Sequence, residues 1–379
     1  MLRQFLTILY TGLSRIIFLI FKELVSFSAD LWLLPDGVEE ILPPEAKRIE
    51  DLRRTLLDLY DGWGYQLVVP PLIEFLESLL TGVGQDLDLQ TFKITDQATG
   101  RMMGIRTDMT PQLARIDARN IGAGAHRVCY AGTVLRTRVS NLFPSRAPVQ
   151  IGCELFGIED IAADIEIISM MLETLEKSGI SETHLDISHV GIYRHIIGKA
   201  GLSDHATHLL LSAMRRKAAP EIQQLTAEID NEKIAEYLQM LPNLAGDRNI
   251  LTDAIQLFES EPEIIAALES LIKVTDLVSV RYPEVKVFID LCELRGFNYH
   301  TGLVFAAYAP GVGQAIAQGG RYDGVGRAFG SARPATGFSS DLKSLLSIGN
   351  IFNEPEGKAI LAPADEDPAL WRLVTELRR

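Results

Sequence analysis

Cysteine is scarce in this chain: Cys129, Cys153 and Cys292 are the only three in 379 residues, and no pair has CxxC spacing. Each sits in an apolar, strand-like run. They read as small buried hydrophobes in a reducing compartment, not as a disulfide framework or redox pair. Clean apolar runs fall short of the ~20 residues a membrane span requires. In the most apolar stretch, Gln4 to Phe21 is punctuated or flanked by Arg3, Arg15 and Lys22. Ser26 and Ser28 before Ala29 only faintly resemble a cleavage site, so residues 1–30 are read as an extension of unclear role outside the folded domain. Positive charge is also in short supply. Lys and Arg total 36 against 50 Asp and Glu, a net charge of −14, which argues against a protein that grips a polyanion such as tRNA. His205 and His208 have the spacing of one helix face but no evident third ligand, so no metal is expected. There is no Walker A motif, no internal repeat, no low-complexity tract and no nucleophile–base pairing of sequence-level specificity.

What is present is an ordinary globular composition, 47% hydrophobic and 23% charged, long enough for two or three domains. Ile49, Leu52, Leu56 and Leu59 repeat at helical spacing and predict a helix over 43–60, stopped by Gly62 and Gly64. The proline-broken run Val68-Val69-Pro70-Pro71-Leu72-Ile73-Glu74 reads as an edge or an interface. Residues 91–95 and 101–106 predict a hairpin around Asp96-Gln97-Ala98-Thr99-Gly100. Strands are expected at 127–135 and 149–156, then a helix at 161–177 with Gly179 past its end. Residues 191–282 are helical, interrupted by Pro220, Pro242 and Pro262. Apolar β-rich runs return at 284–293 and 304–308. Clustered strands with hairpin links point to an α+β fold, a mostly antiparallel sheet flanked by helices. The expected organisation is a core of 31–190 and 283–349, a helical insertion at 191–282, and a short tail at 350–379 holding at most a strand (358–362) and a helix (368–379).

The chemistry-bearing residues fall at the ends of these strands. Asp108 and Thr110 lie in Ile105-Arg106-Thr107-Asp108-Met109-Thr110-Pro111. Gln150 and Glu154 stand four apart on one strand and so share a face. Arg295 leads Arg295-Gly296-Phe297-Asn298-Tyr299-His300-Thr301-Gly302, and Gly319-Gly320-Arg321-Tyr322-Asp323-Gly324 follows. A pocket for a free amino acid needs acceptors for the ammonium group, a cation for the carboxylate, and a polar partner plus aromatic walls for a ring. Singly, each residue has an ordinary structural reading: Glu154 a solvated carboxylate, Arg295 an ion pair, Gly319 and Gly320 a turn requiring φ > 0.

Together and in this order the two runs resemble the histidine-binding signatures of histidyl-tRNA synthetase, a class II synthetase, over roughly residues 33–345. The resemblance implies that Asp108, Thr110 and Gln150 receive an ammonium group, Glu154 an imidazole and Arg295 a carboxylate. Arg136 matches the second motif's arginine, and Tyr299, His300 and Tyr322 line the walls. The segment 68–74 resembles the motif that builds the class II dimer interface. The departures sit on the nucleotide side. Arg138 stands where the synthetase has a Glu that reads adenine, and Arg cannot accept a hydrogen bond. Ser344 replaces the ATP-binding Arg of the third motif. His300 replaces a tyrosine and Asn298 an aspartate. A site that keeps the amino acid's half and loses the nucleotide's half is similar to the synthetase-like family of ATP phosphoribosyltransferase regulatory subunits. That resemblance implies a cytoplasmic, non-catalytic chain without cofactor or metal. Its implied partner is a short-form catalytic subunit, in a hetero-octamer regulated by L-histidine during histidine biosynthesis. The alternatives are a truncated active histidyl-tRNA synthetase and a stand-alone histidine-sensing pseudo-synthetase.

Overall fold

The computed structural model describes residues 33–378, apart from 82–84, 122–123, 139–144, 331, 351–359 and 365–366. The extension at 1–30 lies outside the described residues.

The first element of the described residues is helix α1 (Glu45–Gly62), which buries Ile49, Leu52, Leu56 and Tyr60 along one stripe. It runs on to Gly62 before Gly64, at φ 83°, turns the chain. Strands β1 (Gln66–Leu67) and β2 (Ile73–Phe75), the short helices α2 (Leu76–Leu79) and α3 (Gln85–Gln90), and the hairpin β3 (Phe92–Thr95) and β4 (Met102–Ile105) follow. Helix α4 (Thr110–Ile116) then leads to the long hairpin β5 (His126–Thr133) and β6 (Val149–Phe156). Helix α5 (Ile161–Lys177) is capped by Asp160, whose side chain accepts from the Ala162 amide.

Strand β7 (His184–His189) passes directly into a helical stretch: α6 (Val190–Gly198), α7 (Asp204–Arg215), α8 (Ala219–Thr226), α9 (Glu232–Met240), α10 (Asn249–Leu257) and α11 (Pro262–Arg281). The two-residue strand β8 (Ala245–Gly246) interrupts it. Pro220 and Pro262 sit in first turns, where a missing N–H costs no helical bond. Strands β9 (Lys286–Asp290), β10 (Leu303–Tyr308), β11 (Ala317–Arg321) and β12 (Ala335–Asp341) complete the sheet, and α12 (Leu342–Ile348) and α13 (Pro368–Leu377) close the described chain.

Among the described residues nine strands form one sheet in the order β1-β5-β6-β12-β11-β10-β7-β9-β8, and β2-β4-β3 form a second, smaller one. The large sheet is antiparallel except for the pairs β1/β5 and β7/β9, so the expected α+β class holds with two parallel pairs added. Helices α1, α5 and α11 cover one face. The buried apolar cluster runs from Leu52 through Ile168, Leu238 and Leu268 to Leu345, so the helical stretch shares a continuous core with the sheet. Removing that apolar surface from water is the main stabilising term, at about 25 cal/mol per Å².

Cys129 and Cys153 face each other across β5 and β6, yet both thiols are free and buried. Burial pushes Cys129 up to about 12 and Cys153 well above its ordinary value, which leaves them inert hydrophobes. Two sequence readings are corrected here. Strands β7, β11 and β12 were not foreseen, and Gly319 and Gly320 lie within β11 and not in a turn of positive φ. Residues 360–362 form no strand, while 358–359 lie outside the described residues.

Candidate functional site

The face of the sheet opposite α5 carries a cavity of about 400 Å³. It is built on the middle of strands β6, β7, β10, β11 and β12, not on their ends as expected, and on two loops, one before α4 and one between β9 and β10. Alternation along β6 sends Cys153 and Leu155 into the helical core and Glu154 into the cavity. Glu154 is 1% exposed. Its Oε1 accepts from Thr110 Oγ1 at 2.8 Å and from the Tyr130 hydroxyl at 3.1 Å, and its Oε2 accepts from the Tyr322 hydroxyl. Burial drives its pKa up to about 8 against those three hydrogen bonds, with the charge of Asp108 adding to the rise. Near neutral pH it is therefore mostly a neutral acid, able to donate as well as accept.

Gly337 pairs with Glu154 across β12 and β6, and a Cβ there would come within 1.6 Å of Glu154 Oε2. The glycine is what lets the carboxyl lean over its neighbouring strand. Along β11 and its exit, Arg321 points away and Tyr322 points in. Arg321 binds the buried Asp164 of α5 through Nε (3.0 Å) and Nη2 (2.7 Å), anchoring the segment that presents Tyr322.

Asp108 and Thr110 enter together. Asp108 Oδ1 accepts from the Thr110 amide at 2.9 Å and from Gln150 Nε2 at 3.0 Å. Gln150 Oε1 accepts from the Met109 amide at 2.9 Å, so Gln150 locks this loop to β6. The loop bearing Arg295, Tyr299 and His300 forms the opposite wall. Gly296, at φ 63°, turns it, and a Cβ there would meet the His300 ring at 2.5 Å. Tyr299 stacks on Tyr322 with centroids 5.1 Å apart and meets His300 edge-on at 5.4 Å. The Tyr299 hydroxyl is enclosed without a hydrogen-bond partner among the described residues, while the His300 ring lies against the backbone of Arg295 and Gly296. Burial lowers His300 to about 4, so it is a neutral imidazole.

Seven of the nine sequence candidates thus line one cavity: Asp108, Thr110, Glu154, Arg295, Tyr299, His300 and Tyr322. Arg136 and Gln150 instead line an adjoining cavity of about 290 Å³, together with Ser344. Arg295 and Ser339 border both cavities. Arg136 Nε donates to the Thr107 carbonyl at 3.4 Å, and Ser344 Oγ donates to Asp341 Oδ2 at 2.7 Å. Sequence reasoning missed Tyr130, Asp186, Glu293 and Tyr308. Asp186 lines the first cavity from β7, and Glu293 lines it beside Arg295. The alternation of Leu185, Asp186 and Ile187, buried on either side of a half-exposed acid, was the available signal. Arg295 Nη2 donates to Glu293 Oε2 at 2.6 Å and to the Tyr308 hydroxyl. Burial pushes Glu293 up, but the Arg295 hydrogen bond and charge outweigh it and hold the carboxyl low.

Comparison with known proteins places this geometry. The histidyl-tRNA synthetase family model matches residues 37–345. An ATP phosphoribosyltransferase regulatory subunit from Hahella chejuensis is 55% identical over 352 residues, which is 93% of this chain and 88% of the relative. Among solved structures, an ATP phosphoribosyltransferase regulatory subunit/histidyl-tRNA synthetase from Bacillus halodurans superposes with a TM-score of 0.75 at 26% identity, covering 84% of this chain and 83% of that one. An ATP phosphoribosyl transferase (HisG:HisZ) complex from Thermotoga maritima matches at a TM-score of 0.60 and 18% identity, over 80% of this chain and 98% of that one, a likeness of fold. The chain belongs to the histidyl-tRNA synthetase-like family, among the ATP phosphoribosyltransferase regulatory subunits.

Proposed function

We propose that the protein is the non-catalytic regulatory subunit of an ATP phosphoribosyltransferase, which supports the first step of L-histidine biosynthesis in a partner catalytic chain and makes that step sensitive to histidine. The observation that carries this reading is the unequal state of two adjoining cavities. The first brings together Glu154, Thr110, Asp108, Arg295 and Tyr322 of the amino-acid set, with Gln150 bonded to Asp108 from the second. The second, where the family resemblance puts the nucleotide, has Ser344 in place of an arginine. Arg138 is exposed at the loop that would meet adenine. Without the missing guanidinium a triphosphate loses a main counter-charge, so amino-acid activation is not expected.

In this reading Asp108 and Thr110 hold the ligand ammonium, Glu154 meets the imidazole, and Tyr299 and Tyr322 clamp the ring. Histidine acts by binding one arrangement of the complex more tightly, and its effect on the partner is bounded by that difference in affinity. The assembly is a cytoplasmic hetero-octamer without tRNA. Self-association uses the proline-rich segment near β1 and β2, where Val69 is 80% exposed and Leu67, Leu72 and Ile73 are exposed beside it. Co-purification tests the partner: a phosphoribosyltransferase recovered with this chain, and active only with it, is the expected result. Histidine-dependent exchange of pyrophosphate into ATP by the chain alone would instead favour an active synthetase.

A further inference from the structure

We infer that Arg194 of α6 is a positioning residue for the first cavity: it holds the loop that carries Arg295 and Tyr299, and so couples that loop to the helical stretch. The inference rests on the reading of the cavity as a histidine site and goes on to how that site is held by the helices beside it.

The loop between β9 and β10 lies outside any strand or helix. Between Leu294 and His300 its own backbone bonds are short turns, from Phe297 N to Leu294 O and from Tyr299 N and His300 N to Gly296 O. The carbonyls of Phe297 and His300 accept instead from Arg194 Nη2, at 2.8 Å each. They bracket Asn298 and Tyr299, so one guanidinium sets the frame from which Tyr299 stacks on Tyr322. The same guanidinium lies over the Phe297 ring, 4.7 Å from its centroid, and the neighbouring Tyr193 meets that ring edge-on at 5.2 Å. Arg194 has no carboxylate partner among the described residues, in a chain with 50 acids. Its charge serves two backbone carbonyls through charge-assisted hydrogen bonds. A lysine ammonium could not both lie flat on Phe297 and reach the two carbonyls.

Helix α7 grips the start of the same loop. Arg215 Nε donates to the Leu294 carbonyl at 3.3 Å, Cys292 Sγ to the Met214 carbonyl at 3.6 Å, and Lys217 Nζ to Asp290 Oδ2 at 2.8 Å. Lys217, just past the end of α7, sits at φ 50°, a left-handed conformation that side chains disfavour. This wall of the cavity therefore hangs on α6 and α7, and a shift of those helices moves Arg295 and Tyr299. By linkage, a ligand that fixes the loop steadies α6 in return.

The test is calorimetric titration of the full chain with L-histidine, at a temperature where melting curves show each variant folded. Arg194→Ala should bind roughly tenfold more weakly, because the ligand itself must then order Arg295 and Tyr299. Arg194→Lys should recover only part of that loss. Arg248→Ala, which removes an ion pair with Asp276 inside the helical stretch, should bind like the unaltered chain. Saturating histidine should also slow hydrogen exchange of the α6 amides, and do so much less in Arg194→Ala. An affinity in Arg194→Ala within about twofold of the unaltered chain would overturn the inference, as would an equal loss in Arg248→Ala or α6 exchange indifferent to histidine. If Arg194→Ala does not fold, Arg194→Lys carries the test, and an unchanged affinity there overturns the inference. No histidine binding by the unaltered chain would overturn the cavity reading and the inference with it.

Discussion

Gly337 and Glu154 face each other in register across β12 and β6, and the space that a Cβ would need at 337 is occupied by the Glu154 carboxyl. Gly337→Ala must therefore displace the group at the centre of the cavity. We expect a stability cost on the order of 1–3 kcal/mol from overpacking. We also expect at least a tenfold loss of affinity for imidazole ligands, because the hydroxyls of Thr110, Tyr130 and Tyr322 lose their shared acceptor. Urea unfolding and calorimetry read the two effects separately.

Glu154 also makes stability depend on pH. Its carboxyl ionises near 4.5 when unfolded but at about 8 when folded, mainly through burial. The stability it contributes is fully present below the unfolded value and is lost as pH rises through the folded value. Between about pH 4.5 and 8, then, this carboxyl makes stability fall with rising pH. Glu154→Gln cannot ionise and keeps the side chain's shape. Its urea midpoint should vary less across this window, and at the alkaline end should exceed that of the unaltered chain. An unchanged pH slope would mean that Glu154 is not buried in this way.

The Arg321–Asp164 pair behaves differently because both partners are buried. Burial raises Asp164 against the pull of Arg321. Arg321→Ala strands that carboxylate and should cost roughly 3–5 kcal/mol. Adding Asp164→Asn should recover much of the loss, since the stranded charge is then gone. Denaturant midpoints of the two single variants and the double variant give the coupling directly.

Some of this was legible in the chain and some was not. Helix α5 and strand β6 were read with their observed bounds, because Ile165, Ile168, Leu172 and Leu175 repeat at helical period and 149–156 is uninterrupted. The joining of Asp108, Glu154, Arg295 and Tyr322 into one cavity was legible only through the order of the two glycine-aromatic runs. Strands β11 and β12 escaped because their glycines and serines have low strand propensity. Those glycines are there for close approach: a Cβ at Gly319 would strike the Gly337 carbonyl at 2.2 Å. Asp186 carried only the weak signal of an acid between buried Leu185 and Ile187, and Glu293 lies past the end of β9 on no strand, where periodicity says nothing. The division of the site into two cavities, with Gln150 and Arg136 on the second, depends on side-chain direction and packing that spacing does not encode.

Under the proposed function, histidine acts on the partner from the Glu154 cavity. The most direct measurement is phosphoribosyl transfer by the reconstituted complex, titrated with L-histidine, using the unaltered chain, Glu154→Ala and Arg295→Ala. Both variants should still assemble with the catalytic chain, and half-inhibition should need at least tenfold more histidine. Full assembly with an unchanged inhibition curve in both variants would contradict it and place the regulatory site elsewhere.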